Sequence, residues 1–247
     1  MSIKQRDSLK MGRYVLWFVF FAGSLAVEDL GGKVFIFPKA TDTVRVILKP
    51  TIKKPVESLT VCLESYTELT RGHSLFSLAL PGKDNALLIF PMSQTKCEFI
   101  VNQEAYQFRV NPEVFDWKHT CMTWDSESGV VQPWINGKLY PRTVIKQRLQ
   151  IDSETSIMLG QEQDSYGGRF DVSQCFVGEI SNVHMWDYVL TQEDIQKVMA
   201  GKNDLNGNII NWRSLQYEII GDVTVQPKLQ CQSLENNYNL YSKCHES

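Results

Sequence analysis

The chain has 247 residues, 43% of them hydrophobic and 21% charged, with six cysteines and a formal net charge of −3. That charge gives no general attraction to nucleic acid or to an anionic membrane surface, and no nucleic-acid site is predicted. The apolar content suffices for a single core, and no internal repeat, low-complexity tract or Pro/Gly/Ser-rich linker divides the chain.

Lys10 and Arg13 precede an apolar run over residues 14–25 that contains Trp17, Phe18, Phe20 and Phe21 and ends in small residues at Ala26. This order of basic, apolar and small residues predicts a secretory signal peptide over 1–26, cleaved after Ala26. The run is short for a membrane span and no second one follows, so the expectation is a secreted, extracellular protein with no transmembrane segment. The first 26 residues carry four basic side chains and one acidic one, so their removal changes the formal charge from −3 to −6. All six cysteines follow the signal, and an even number in an oxidising compartment makes disulfides the default expectation. Free thiols or a zinc site are the alternatives, although His119 and Cys121 lack further ligands nearby in sequence.

Short β-type runs dominate the rest. They fall at 34–37, 43–48, 59–66, 74–80, 86–90, 98–101, 107–110, 119–124 and 130–135, and most are bounded by Pro, Gly, Asn or Asp. Asn136-Gly137 predicts a two-residue hairpin turn, because both positions tolerate positive φ. One helix is expected after Thr191, which can cap it, with Asp194 three residues on, an apolar face of Ile195, Val198 and Met199, and Gly201 at its end. Many short strands with one late helix predict an all-β, antiparallel two-sheet jelly-roll sandwich carrying the helix on one face.

The loop Glu162-Gln163-Asp164-Ser165-Tyr166-Gly167-Gly168-Arg169-Phe170-Asp171-Val172-Ser173-Gln174 concentrates oxygen-bearing side chains. In extended chain, Glu162 and Asp164 share a face with the Gln163 carbonyl between them. Gly167-Gly168 lets the chain turn back and bring Asp171 and Gln174 toward the same point. Hard oxygen donors in this number suit calcium, and a solvated acidic turn is the alternative. Jelly-roll glycoside hydrolases also use an E-x-D strand motif, but their chemistry needs a further acid as proton donor. Positions 166 and 167 are Tyr and Gly, so no enzyme is predicted.

The run His119-Thr120-Cys121-Met122-Thr123-Trp124-Asp125-Ser126 fits H-x-C-x-[ST]-W-x-[ST], and here the chain resembles the short pentraxins. Further segments resemble the family in order: Val34-Phe35-Ile36-Phe37-Pro38, Tyr66-Thr67-Glu68-Leu69, the acidic loop from Gly160, Phe176-Val177-Gly178-Glu179-Ile180 and Asn211-Trp212-Arg213. The resemblance implies a pentraxin domain over 27–230, followed by a polar, Cys-containing C-terminal extension over 231–247.

It also implies two calcium ions per subunit and usually a cyclic homopentamer. Asp84, Asn85, Glu162, Asp164 and the carbonyl of Gln163 would hold the first ion. Glu162 and Asp164 would bridge to the second, completed by Asp171 and Gln174. An anionic ligand such as phosphocholine, phosphoethanolamine or an acidic glycan would occupy the open coordination positions, as in innate immunity. Phe90 falls at the aromatic position that faces a ligand's ammonium group. The acid expected beside it is Glu104, because the position aligned without a gap is Ala105. Complement recognition by the helix-bearing face is a property of some members. A calcium-stabilised structural or matrix assembly protein on the same fold is the alternative. Cys62 and Cys121 match the family's disulfide, which contributes roughly 4 kcal/mol in the chain-entropy model. Cys97 and Cys175 are expected to pair and staple the binding face. Cys231 and Cys244 either pair with each other or link subunits.

Overall fold

The computed structural model describes residues 29–112, 116–145, 148–201, 205–236 and 239–246, with side chains up to residue 229. The expected signal peptide at 1–26 lies outside the described residues. The strands in chain order are β1 (Lys33–Phe37), β2 (Arg45–Lys49), β3 (Ser58–Tyr66), β4 (Phe76–Leu80), β5 (Lys83–Ser93), β6 (Lys96–Val101), β7 (Glu104–Arg109), β8 (Lys118–Asp125) and β9 (Val130–Ile135). They continue with β10 (Lys138–Leu139), β11 (Thr143–Val144), β12 (Ser156–Leu159), β13 (Gly178–Trp186), β14 (Gln216–Ile220), β15 (Thr224–Pro227), β16 (Leu229–Asn236) and β17 (Asn239–Glu246).

Two antiparallel sheets face each other. The first has the order β10-β9-β8-β3-β13-β1-β15, with β11 also on β9, and the second has the order β14-β2-β12-β4-β5-β6-β7. Alternation explains which side chains fill the gap: Val46 and Leu48 of β2, Leu59, Val61 and Leu63 of β3, Leu87 and Ile89 of β5, and Phe99 and Val101 of β6 all join one core. Each such fully buried side chain contributes about 1.5–3 kcal/mol relative to exposure. Asn136 and Gly137 have φ of 48° and 69°, the geometry expected of their hairpin turn between β9 and β10.

Helix α1 (Gln192–Met199) lies on the outer face of the first sheet. Thr191 caps it by accepting from the Asp194 amide, and Ile195 packs with Cys62, Cys121, Trp134, Trp186 and Leu190. Thr60 fixes the approach to the helix, donating to Tyr188 O at 2.8 Å and accepting from Leu190 N at 2.9 Å. The expected apolar face is narrower than the sequence suggests. Ile195 is buried and Val198 partly so, whereas Met199 is turned to solvent beside Gly137.

Cys62 and Cys121 stand directly opposite each other on β3 and β8 and form a disulfide. Its formation removes the Cys121 thiolate from any zinc site with His119. Cys97 and Cys175, expected to pair, are free buried thiols. The sheet order explains the correction. Segment 73–75 bonds on one side to Gln174 O, through Ser74 N, and on the other to Pro91 O and Ile89 O of β5. Cys97 lies one strand further out, opposite Pro91. Three inter-strand steps of about 4.8 Å put the two cysteines roughly 14 Å apart, twice the reach of a disulfide. Alkylation of the denatured, unreduced protein should therefore label Cys97 and Cys175 and spare Cys62 and Cys121; a cross-linked peptide joining 97 to 175 would refute this. β16 and β17 form a separate hairpin in which Cys231 and Cys244 are register partners along the backbone.

Candidate metal centre

The acidic loop covers the outer face of the second sheet, opposite the helix. After β12 the chain leaves the ladder, and 161–164 has no strand partners. Gln163 anchors it: its Nε2 donates to Ser77 O and Ser156 O at 3.1 Å, and its Oε1 accepts from Gly167 N at 3.0 Å. With the side chain engaged beneath the loop, the backbone carbonyl is the oxygen Gln163 has left for a metal. The turn closes through Ser165 N to Gly168 O and Gly168 N to Ser165 O, with Gly167 at φ +76°. Gln161 ties the loop's root to the Thr41 and Val44 carbonyls.

The return segment is held from behind. Arg71 Nη1 donates to the carbonyls of Gly72, Ser173 and Cys175 within 2.9 Å, and Ser74 N donates to Gln174 O. The Asp171 carboxylate accepts from Ser173 N, and that bond holds the Asp171 carboxyl below the ordinary carboxylate range.

These segments bring the predicted donors together. Asn85 Nδ2 lies 3.3 Å from Glu162 Oε1, and Asp84 Oδ1 accepts from Gln103 Nε2 at 2.6 Å. Burial, then the charge of Asp164, push the Glu162 carboxyl up to about 7, with smaller contributions from Glu98 and Asp84. Asp164 is raised by burial and then by Asp84 and Asp171. Burial and mutual repulsion disfavour the charged form of these carboxylates, and a nearby divalent cation would favour it. Among the buried side-chain atoms without a hydrogen-bond partner are Asn85 Oδ1 and Gln174 Oε1, two of the predicted ligand oxygens. The donor set is all oxygen and fits calcium.

Phe90 is half-buried on β5 of the same sheet, its ring against Gly72, where a Cβ would come within 2.7 Å of it. Glu104 is not beside it. Register pairs Phe90 with Glu98 and Glu98 with Gln107, so Ala105 and Gln107 share Phe90's face and Glu104 alternates to the other. The acid on Phe90's side is Glu98, whose Oε2 accepts from Gln107 Nε2 at 2.6 Å. Half of this was available in the sequence. A two-residue turn at Asn102-Gln103, both with positive φ, sets Val101 opposite Glu104 and hence Glu98 opposite Gln107. The other half was not, because the β5 to β6 register shifts at a bulge between Pro91 and Ser93.

Concavities of about 240 and 260 Å³ lie elsewhere, one between α1 and the Glu64–Lys228 ion pair and one beside His73 and Lys118. Among the described residues no helix is long and apolar enough to cross a membrane.

Two antiparallel sheets packed face to face, with a helix on one outer face and an oxygen-rich loop on the other, define a lectin-like jelly-roll sandwich. Residues 33–227 match the Pentaxin family, and the chain belongs to that family. It is 58% identical to C-reactive protein of Xenopus laevis over 238 residues, covering 96% of this chain and all of that one. Serum amyloid P-component of Mus musculus is 40% identical over 223 residues, covering 89% and 99% respectively. A native heptameric SAP-like pentraxin from Limulus polyphemus shares the fold with a TM-score of 0.71 at 23% identity, covering 82% of this chain and 96% of that one. Pentraxins are calcium-binding recognition proteins without enzymatic activity, and this chain is a pattern-recognition protein, not an enzyme.

Proposed function

We propose that this chain is a secreted subunit of a ring-shaped homo-oligomer that binds two calcium ions on the outer face of its second sheet and uses them to recognise phosphate-bearing or acidic ligands. The observation that carries this reading is the convergence of Asp84, Asn85, Glu162 and Asp164, with carboxylates that repel one another and with the Asn85 and Gln174 amide oxygens buried without a hydrogen-bond partner. Glu162, Asp164, Asp84, Asn85 and the Gln163 carbonyl hold the first ion, and Asp171 and Gln174 complete the second. The ions supply positive charge and open positions for an anionic oxygen. The chain's own residues fix where that charge sits: Gln163 and Ser77 set the loop's height above the sheet, and Arg71 sets the position of its return. A cyclic pentamer is the assembly the family resemblance implies, and light scattering after size-exclusion chromatography measures its size.

The test is retention on immobilised phosphoethanolamine. Protein should bind at millimolar calcium and elute with chelator, with phosphocholine and an acidic glycan compared on parallel columns. Retention that chelator leaves unchanged would sink the calcium-bridged mechanism.

A further inference from the structure

Arg71 is not among the predicted metal donors, yet it organises the segment that carries two of them. Its Nη1 donates to Ser173 O at 2.9 Å and to Cys175 O at 2.8 Å, the carbonyls on either side of Gln174. Nη2 reaches the Cys175 thiol at 3.4 Å, and that thiol in turn donates to Val172 O at 3.1 Å. Ser74 N donates to Gln174 O and Gln174 N to Asp171 O, both at 2.9 Å. Every backbone carbonyl from Asp171 to Cys175 thus accepts a hydrogen bond, and three of the five bonds come from the guanidinium or from the thiol it touches.

On this pinned backbone, Gln174 Oε1 is buried without a hydrogen-bond partner. An oxygen already held in place loses little further freedom when an ion arrives, so the support beneath it contributes to affinity. The first ion's ligands rest on other supports. Gln163 is anchored to Ser77 and Ser156, and Asp84 and Asn85 belong to β5.

The charge of Arg71 works in the opposite direction. The Ser173 amide is the main influence holding the Asp171 carboxyl low, and the Arg71 charge adds to it, so the guanidinium's field reaches a ligand of the second ion. A fixed cation there repels calcium. Positioning and charge therefore shift calcium affinity with opposite signs, and the two roles are separable.

Resting on the calcium reading above, we infer that Arg71 is a positioning residue for the second calcium ion. Its hold on the Ser173 and Cys175 carbonyls places Gln174 and Asp171 for that ion, while the first ion's ligands stand without it.

Calorimetric calcium titrations of wild type, Arg71→Met and Arg71→Lys test this. Wild type should bind two ions. In Arg71→Met the first should keep its affinity and the second should weaken roughly 10- to 100-fold, the scale on which residues that orient metal ligands act. Arg71→Lys keeps the charge and part of the donor capacity, so its second-ion affinity should fall between the two. Alkylation of the native proteins in chelator, read by mass spectrometry, should label Cys175 faster in both variants and leave Cys97 unchanged. A second ion bound by Arg71→Met as tightly as by wild type, or more tightly, overturns the inference, because charge would then outweigh positioning. Equal weakening of both ions in Arg71→Lys, or equal gains in labelling at Cys97 and Cys175, also overturns it, because Arg71 would then support the fold as a whole. Wild type that binds fewer than two calcium ions removes the calcium reading, and the inference with it.

Discussion

Glu162→Gln should abolish calcium-dependent ligand retention while leaving the jelly roll folded. Glu162 is 7% exposed, receives the Asn85 amide, and is expected to bridge both ions, so its charge is the one the site can least lose. Calcium affinity in oxygen sites spans decades with ligand charge count, and loss of one of four carboxylates should weaken binding roughly 100-fold. Without calcium the same substitution should not destabilise the protein. The folded-state pKa of Glu162 is raised from 4.5 to about 7, so the folded metal-free protein holds this proton more tightly than the unfolded chain. Its stability in chelator is therefore fully present below the unfolded value and declines as pH rises through about 7. The groups facing it are Asp164, Asp84, Glu98 and Asn85, and Asp164 shifts in the same direction. Glutamine removes the Glu162 part of this decline. In calorimetric melts with chelator at pH 5.5 and pH 8, wild type should lose more melting temperature than the variant between the two. With calcium at pH 8 the order should reverse, wild type melting higher. An equal calcium-induced rise in both proteins would remove Glu162 from the metal centre.

Cys62→Ala with Cys121→Ala should lower stability by about 4 kcal/mol, since a bridge across a separation of 59 residues constrains the unfolded chain to that extent. At about 2–4 °C per kcal/mol for a domain of this size, the melting temperature should fall by roughly 8–16 °C. Both sulfurs are buried beneath α1 among Trp134, Trp186, Leu190 and Ile195, so truncation also leaves a void under the helix. The effect should stay on that side of the sandwich. Below its melting point the double variant should retain calcium-dependent binding, because the acidic loop lies on the outer face of the other sheet. A fall of less than about 3 °C, or loss of calcium binding at low temperature, would contradict this division.

The nine β-type runs read from β-branched and apolar residues all fall on strands, because each segment buries a face, although β5 carries its pairing on through Pro91 to Ser93. Strands with weak patterns were not legible. β12 is four residues long, and β13 carries a register shift between Ser181 and His184, with Asn182 at φ +48°, that interrupts its alternation. The helix was legible from its cap, but Met199 was assigned inward because periodicity alone does not show how wide a stripe the sheet below can cover.

Read locally, the chain is an antiparallel sandwich with a capped helix and an oxygen-rich loop at 162–174; Asp84 and Asn85 joined that loop only through the family resemblance. Those features are local: alternation, capping and turn chemistry act over a few residues. Tertiary structure alone decided the rest. Strand order separates Cys97 from Cys175 by three strand spacings, and register puts Glu98, not Glu104, on Phe90's face. Both depend on which distant segments pair and where a bulge shifts them. A one-residue slip reverses every side chain's face, so neither composition nor spacing fixes that choice.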